Sequence, residues 1–179
     1  MINNDIYGYV HAIYGNGKGK TTSGIGLVHR ALGYGLKVGI VQFMKGEKSN
    51  EIPELKQNSS VIYYSPGEFD WAFIEKGLTD KQRNHSLSCL DFVLNIPCDV
   101  NLLFCDEMLN VPLFGNGNPA FNYEEIIKVV KTKRKNLEFV MTGLKCPNEV
   151  LDVVDYAQEI KMIKHVFEKG IIARPGIEI

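Results

Sequence analysis

The residues best equipped for chemistry form one string near the amino terminus: Gly15-Asn16-Gly17-Lys18-Gly19-Lys20-Thr21-Thr22. Glycines let backbone N–H groups turn inward and approach anionic oxygens closely. A lysine and a hydroxyl directly behind them are what a phosphate chain and its Mg2+ ion need. In such a loop Lys20 reaches the phosphates and Thr21 offers its hydroxyl to the metal. Lys18 and Thr22 can add contacts. The spacing is a variant of the usual pattern, which wants a glycine five residues before Gly19; that residue is Tyr14. It is not a dinucleotide fingerprint either, because Lys20 stands where a third glycine would be.

A second candidate is Leu102-Leu103-Phe104-Cys105-Asp106-Glu107. An apolar strand that delivers an acidic pair at its carboxyl end can hold Mg2+, directly or through water. Together with the glycine-rich loop, the pair makes Thr21, Asp106 and Glu107 the expected metal ligands. The histidines (His11, His29, His85) have no partner pattern and read as structural or surface residues. His165 is given no chemistry.

These residues need elements to position them. Residues 9–14 form a short β-branched and aromatic run that ends in Gly15 and reads as a strand. Residues 20–32 have apolar positions at helical spacing and stop at Gly33 and Gly35. The loop therefore lies at a strand-to-helix junction, where a helix N-terminus adds partial positive charge. Residues 38–43 read as a buried parallel strand, 44–60 as an irregular loop and 61–64 as a third strand. Thr79 and Gln82 make a capping box for a helix ending near residues 95–97. Asn122 caps a helix to about Arg134, with Lys131, Lys133, Arg134 and Lys135 compensating its dipole. Residues 137–141 read as a strand, Pro147–Val154 as a short helix and 157–160 as a last strand. Strands alternating with helices imply an α/β fold with a parallel sheet.

Composition narrows the classes. The chain has 179 residues, enough for one domain over 1–179. Its formal charge is −1, so no basic excess drives nucleic-acid binding. The longest stretch free of charged residues, 108–123, is broken by Pro112, Gly115, Gly117 and Pro119, so no membrane span is expected. The opening MINNDIYGYV lacks the basic and apolar regions of a signal peptide. The four cysteines show no zinc spacing and read as reduced core residues of a cytoplasmic protein.

The uninterrupted Gly15–Thr22 string resembles the ATP:corrinoid adenosyltransferases acting on cobalamin and cob(I)yrinic acid a,c-diamide. The resemblance continues through residues 30–35, Lys37-Val-Gly-Ile-Val-Gln-Phe-Met-Lys-Gly46, Phe69-x-Trp71, Asp106-Glu107, Thr142-Gly143 with Pro147, Lys164-His165-x-Phe167, Gly170 and Gly176-Ile-Glu178. It departs from the family pattern at Tyr14, Leu144 and Gln158-Glu159-Ile160. The resemblance implies a P-loop NTPase-like (RecA-like), mostly parallel sheet flanked by helices. It also implies a reaction, in which Co(I) of a reduced corrinoid takes the 5′-deoxyadenosyl group of ATP and releases triphosphate. ATP binding would fall to Gly15, Asn16, Gly17, Lys18, Gly19, Lys20, Thr21, Thr22 and Arg30. Phe69 and Trp71 would pack beneath the corrin and exclude its lower ligand. An electron-donating flavin reductase and a homodimer belong to the same expectation. Two other classes stay open on the residues alone. A P-loop kinase or NTPase would yield ADP, but the chain has no arginine-rich lid, with only Arg30, Arg83, Arg134 and Arg174. A nucleotide-gated binding protein would bind ATP without turnover.

Overall fold

A computed structural model of the protein describes residues 6–45, 49–67 and 76–178. Six strands form one sheet: β1 (Val10–Tyr14), β2 (Val38–Gln42), β3 (Val61–Tyr64), β4 (Leu102–Asp106), β5 (Glu138–Gly143) and β6 (Tyr156–Glu159). Their spatial order is β3-β2-β4-β5-β1-β6, and every pair is parallel. The helices are α1 (Lys20–Gly33), α2 (Ile52–Leu55), α3 (Asp80–Leu94), α4 (Tyr123–Thr132) and α5 (Asn148–Leu151). Parallel strands need crossovers, and the helices supply them.

The period-2 alternation of β4 sorts the core into two layers. Leu102 and Phe104 join Ile13, Val28, Ile40 and Val140 on the α1 face. Leu103 and Cys105 join Cys89, Ile126, Val129, Phe139 and Met141 on the α3 and α4 face. Both faces are covered, so the central strands read as continuous apolar runs rather than alternating ones. α1 packs closely enough on β4 that a Cβ at Gly24 would lie 2.2 Å from the Phe104 ring.

The expected strands and long helices all form, with boundary changes that have local causes. The expected capping box starts α3: the Thr79 N–H donates to Gln82 Oε1 at 2.9 Å and the Gln82 N–H returns to Thr79 Oγ1 at 3.3 Å. α4 ends at Thr132 rather than Arg134, and the Thr132 hydroxyl donates back to the Lys128 carbonyl at 2.8 Å. The basic residues beyond it do more than offset a dipole. Lys133 Nζ donates to the Gly8 carbonyl, and the Arg134 guanidinium donates to the carbonyls of Cys98 and Val100. The stretch expected to be irregular contains α2, whose Ile52 and Leu55 are buried. The helix after Pro147 stops at Leu151 instead of Val154. A 3-10 helix, Met108–Leu113, follows the acidic pair and was not anticipated. Cys89 and Cys105 are core residues as expected, whereas Cys98 is exposed and Cys146 half-buried. Among the described residues no helix is long and apolar enough to cross a membrane.

Candidate active site

A parallel sheet gathers the ends of its strands on one rim, and ligands bind beyond the carboxyl ends. The loop leaves β1, the acidic pair closes β4, and Thr142-Gly143 closes β5 between them. The Gly15 N–H donates to the Gly143 carbonyl at 3.1 Å and the Gly17 N–H to the Ile160 carbonyl at 2.8 Å. These bonds pin the loop to the ends of β5 and β6. Asn16 is exposed, and its Oδ1 accepts the Met162 N–H at 3.0 Å.

Gly19 is the N-cap of α1, with φ +112, a left-handed value that favours glycine. No side chain caps this helix, and nothing lies within 4 Å of the place where a Gly19 Cβ would be. Among the described residues the start of α1 thus has no side-chain cap, which suits a polyanion. Lys20, the first residue of the helix, donates from Nζ to the Gly17 carbonyl at 2.9 Å. Lys18 is exposed and pairs with Glu178 at 2.9 Å. Thr21 and Thr22 line a cavity of about 370 Å³ with Ile25, Lys45 and Glu178. A second cavity of about 460 Å³ is lined by Lys18, Lys20, Phe167 and Glu178.

Asp106 is fully buried, and its carboxylate is saturated. Its Oδ1 accepts the hydroxyls of Thr21 at 2.9 Å and Thr142 at 2.7 Å. Its Oδ2 accepts Lys45 Nζ at 2.6 Å and Gln42 Nε2 at 3.3 Å. Glu107 turns the chain with φ +62, donates its N–H to Thr142 Oγ1 at 2.9 Å and accepts from the Asn110 amide. Burial pushes the Glu107 carboxyl above its ordinary range and Asp106 pushes it further, against the pull of Lys45 and Lys20. Thr21 commits its proton to Asp106, which leaves its lone pairs to a cation. A hydroxyl and two carboxylates are hard oxygen donors, so this set fits Mg2+.

One expected residue lies away from this rim, and two others fall outside the described residues. Arg30 stands in the last turn of α1, roughly 15 Å along the axis from Lys20 at 1.5 Å per residue. It lines a cavity with Tyr7, His11, Tyr34 and Glu138 at the opposite end of the sheet. Ten positions of helix thus separate Arg30 from Lys20, and the two cannot meet at one phosphate. Phe69 and Trp71 lie outside the described residues. His165 caps a short 3-10 helix, its Nδ1 accepting the Phe167 N–H at 3.2 Å. The sequence reading passed over Lys45, Gln42, Thr142, Asn110 and Glu178 as site residues. A lysine just past the end of a buried apolar strand was the available signal for Lys45.

The parallel sheet, the glycine-rich loop opening α1 and the acidic strand end define an α/β protein of the P-loop type. The family described as ATP:corrinoid adenosyltransferase BtuR/CobO/CobP matches residues 7–179. The chain belongs to that family. It is 28% identical over 180 residues to the corrinoid adenosyltransferase of Escherichia coli (strain K12), covering 97% of this chain and 87% of the relative. It is 32% identical over 167 residues to the one from Pseudomonas aeruginosa, covering 92% and 80%. It is 28% identical over 181 residues to Corrinoid adenosyltransferase CobA of Salmonella typhimurium, covering 96% and 85%.

Proposed function

We propose that this chain transfers the 5′-deoxyadenosyl group of ATP to Co(I) of a reduced corrinoid, in adenosylcobalamin formation. The Co(I) electron pair forms the new bond to C5′ of the ribose. The C5′–O bond breaks, and its electrons leave on inorganic triphosphate. No general base is needed, because Co(I) has no proton to lose.

The chemistry fixes what the residues must do. Negative charge grows on the leaving oxygen, so donors near it lower the barrier. In this reading Lys20 and the N–H groups of Gly15–Thr22 bind and orient the triphosphate. Thr21, Asp106 and Glu107 hold Mg2+, which when bound adds charge stabilisation to the leaving group. Thr142 and Gln42 keep Asp106 in place by the bonds described above. Phe69 and Trp71 pack beneath the corrin and offer the cobalt face no donor atom. The chain acts as one adenosyltransferase domain over 1–179, in the cytoplasm, as a homodimer. A flavin reductase supplies the electron, and either cob(I)alamin or cob(I)yrinic acid a,c-diamide is the acceptor.

The observation that carries the reading is the uncapped start of α1, with Lys20 beside it and Thr21 bonded to Asp106, in a chain of this family. The test is anaerobic incubation with ATP, Mg2+ and chemically reduced cob(I)alamin, then with reduced cob(I)yrinic acid a,c-diamide. A light-sensitive adenosylated corrinoid with stoichiometric triphosphate is expected. ADP and phosphate as products would instead place the chain among phosphoryl-transfer enzymes.

A further inference from the structure

β2 delivers Gln42 opposite Asp106 across the sheet. The chain then turns at Met44, whose φ of +53 is left-handed and uncommon for a residue with a side chain. The Ser65 hydroxyl lies 2.9 Å from the carbonyl oxygens of both Gln42 and Lys45 and fastens the turn. Lys45 is thereby carried back over the strand ends. Its Nζ lies 2.6 Å from Asp106 Oδ2, 3.4 Å from Thr21 Oγ1 and 3.9 Å from Glu107 Oε1.

Those three oxygen-bearing groups are the ones assigned above to Mg2+. An ammonium therefore stands against the same ligand set that a divalent ion requires. Two adjacent carboxylates repel when both are ionised, and a cation between them relieves the repulsion. Ammonium and metal cannot occupy these ligands together, because like charges at this separation repel strongly inside a protein. The displaced side chain has a destination, since Lys45 already lines the cavity that opens onto Thr21 and Thr22.

We propose that Lys45 is an exchangeable counter-cation. It neutralises Asp106 and Glu107 in the nucleotide-free protein, yields that place to Mg2+ and turns its ammonium to the triphosphate oxygens. The proposal rests on the metal reading above. Its consequence is order: exchange is favourable only when the triphosphate takes up the freed charge, so metal enters with nucleotide rather than ahead of it.

Lys45→Met keeps an unbranched side chain out to Cε and removes the ammonium. Mn2+ alone, followed by electron paramagnetic resonance, probes the metal site of the nucleotide-free protein. Inorganic triphosphate with Mg2+, followed by calorimetry, probes the anion site. The exchange model expects opposite changes in Lys45→Met, about tenfold tighter Mn2+ and about tenfold weaker triphosphate, each the size of one lost charge contact. Lys45→Arg, which keeps the charge, should show no gain in Mn2+ affinity. Mn2+ affinity that is unchanged or weaker in Lys45→Met overturns the proposal, as does tighter Mn2+ with unaltered triphosphate binding. Asp106→Asn separates the two readings. If it weakens Mn2+ while Lys45→Met fails to tighten it, only the exchange is wrong. If Asp106→Asn leaves Mn2+ binding intact in the presence of triphosphate, or no variant binds Mn2+ even then, the metal reading falls and takes the exchange with it. Circular dichroism checks that each variant is folded, and Lys45→Gln replaces Lys45→Met if that one is not.

Discussion

A lysine at a phosphate site contributes where charge develops, not where the chain folds. Lys20 is half-buried, and its Nζ donates to the Gly17 carbonyl, three residues back, at 2.9 Å. Lys20→Ala should therefore leave the urea midpoint nearly unchanged, since it removes no core packing. The single-turnover rate of corrinoid adenosylation should fall by about 10²–10³-fold, or ~3–4 kcal/mol, the usual worth of one donor aimed at a developing anion. Lys20→Arg should restore little, because a planar guanidinium does not replace a compact ammonium in a tight loop. A rate within threefold of wild type in Lys20→Ala would remove this residue from the site. Lys20, Thr21 and Asp106 were legible in the sequence because each sits beside its own signal, a glycine-rich string or the end of an apolar run. Gln42 and Thr142 were not, because strand register brings them to Asp106, and Lys45 was not, because the left-handed turn at Met44 carries it there. Arg30 was assigned to ATP by resemblance alone, and the structure places it in the last turn of α1, ten residues of helix away from the loop.

Most elements were legible because periodicity and caps act locally. The Thr79–Gln82 box and the apolar spacing of α4 need no tertiary information. The 3-10 helix after Glu107 was missed, since it depends on a left-handed turn at a non-glycine residue and on the Asn110 bond to Glu107. The packing of α1 on the sheet was invisible too, although its cause is one missing side chain. A Cβ at Gly24 would lie 2.2 Å from Phe104 Cε2 and 2.5 Å from Cζ, and Phe104 is fully buried. Gly24→Ala gains up to ~1 kcal/mol of helix propensity. Against that, forcing a methyl into a packed core costs about 1–3 kcal/mol and shifts the helix off β4. Gly26, two residues on, is exposed, with nothing within 4 Å of its would-be Cβ. Gly26→Ala should therefore stabilise by ~0.5–1 kcal/mol. Urea midpoints of opposite sign for the two variants are expected. Stabilisation by both would mean that α1 does not press on Phe104.

At the scale of the molecule, the order β3-β2-β4-β5-β1-β6 could not be read from the sequence, because every central strand is equally apolar. That order decides which loops meet at one rim, and it also decides how the fold answers to acid. His85, on α3, is buried and reaches across to the loop after β3, its Nδ1 lying 2.7 Å from the Pro66 carbonyl. Burial is the largest influence on its ring and lowers its pKa below the ordinary 6.5, despite the backbone acceptors that favour the charged form. Below pH 6.5 the unfolded chain thus binds a proton that the folded one resists. Stability is fully present above 6.5 and is lost as pH falls toward the folded value, with a slope no steeper than about 1.4 kcal/mol per pH unit for one proton. Glu138 acts in a separate, lower window. Burial alone would raise its carboxyl, but the His11 ring and the N–H groups of Gly8 and Tyr9 more than offset this and hold it below the ordinary 4.5. Its contribution is complete above 4.5 and fades only beneath that. Glu107, whose carboxyl is raised by burial and by Asp106, works above 4.5 in the opposite direction, so the difference between wild type and His85→Gln in urea unfolding from pH 7.5 to 5 is what reports His85. His85→Gln should flatten the decline in that range while leaving the steeper loss below pH 4.5 in place. An unchanged decline in His85→Gln would assign the acid sensitivity of the fold to another group.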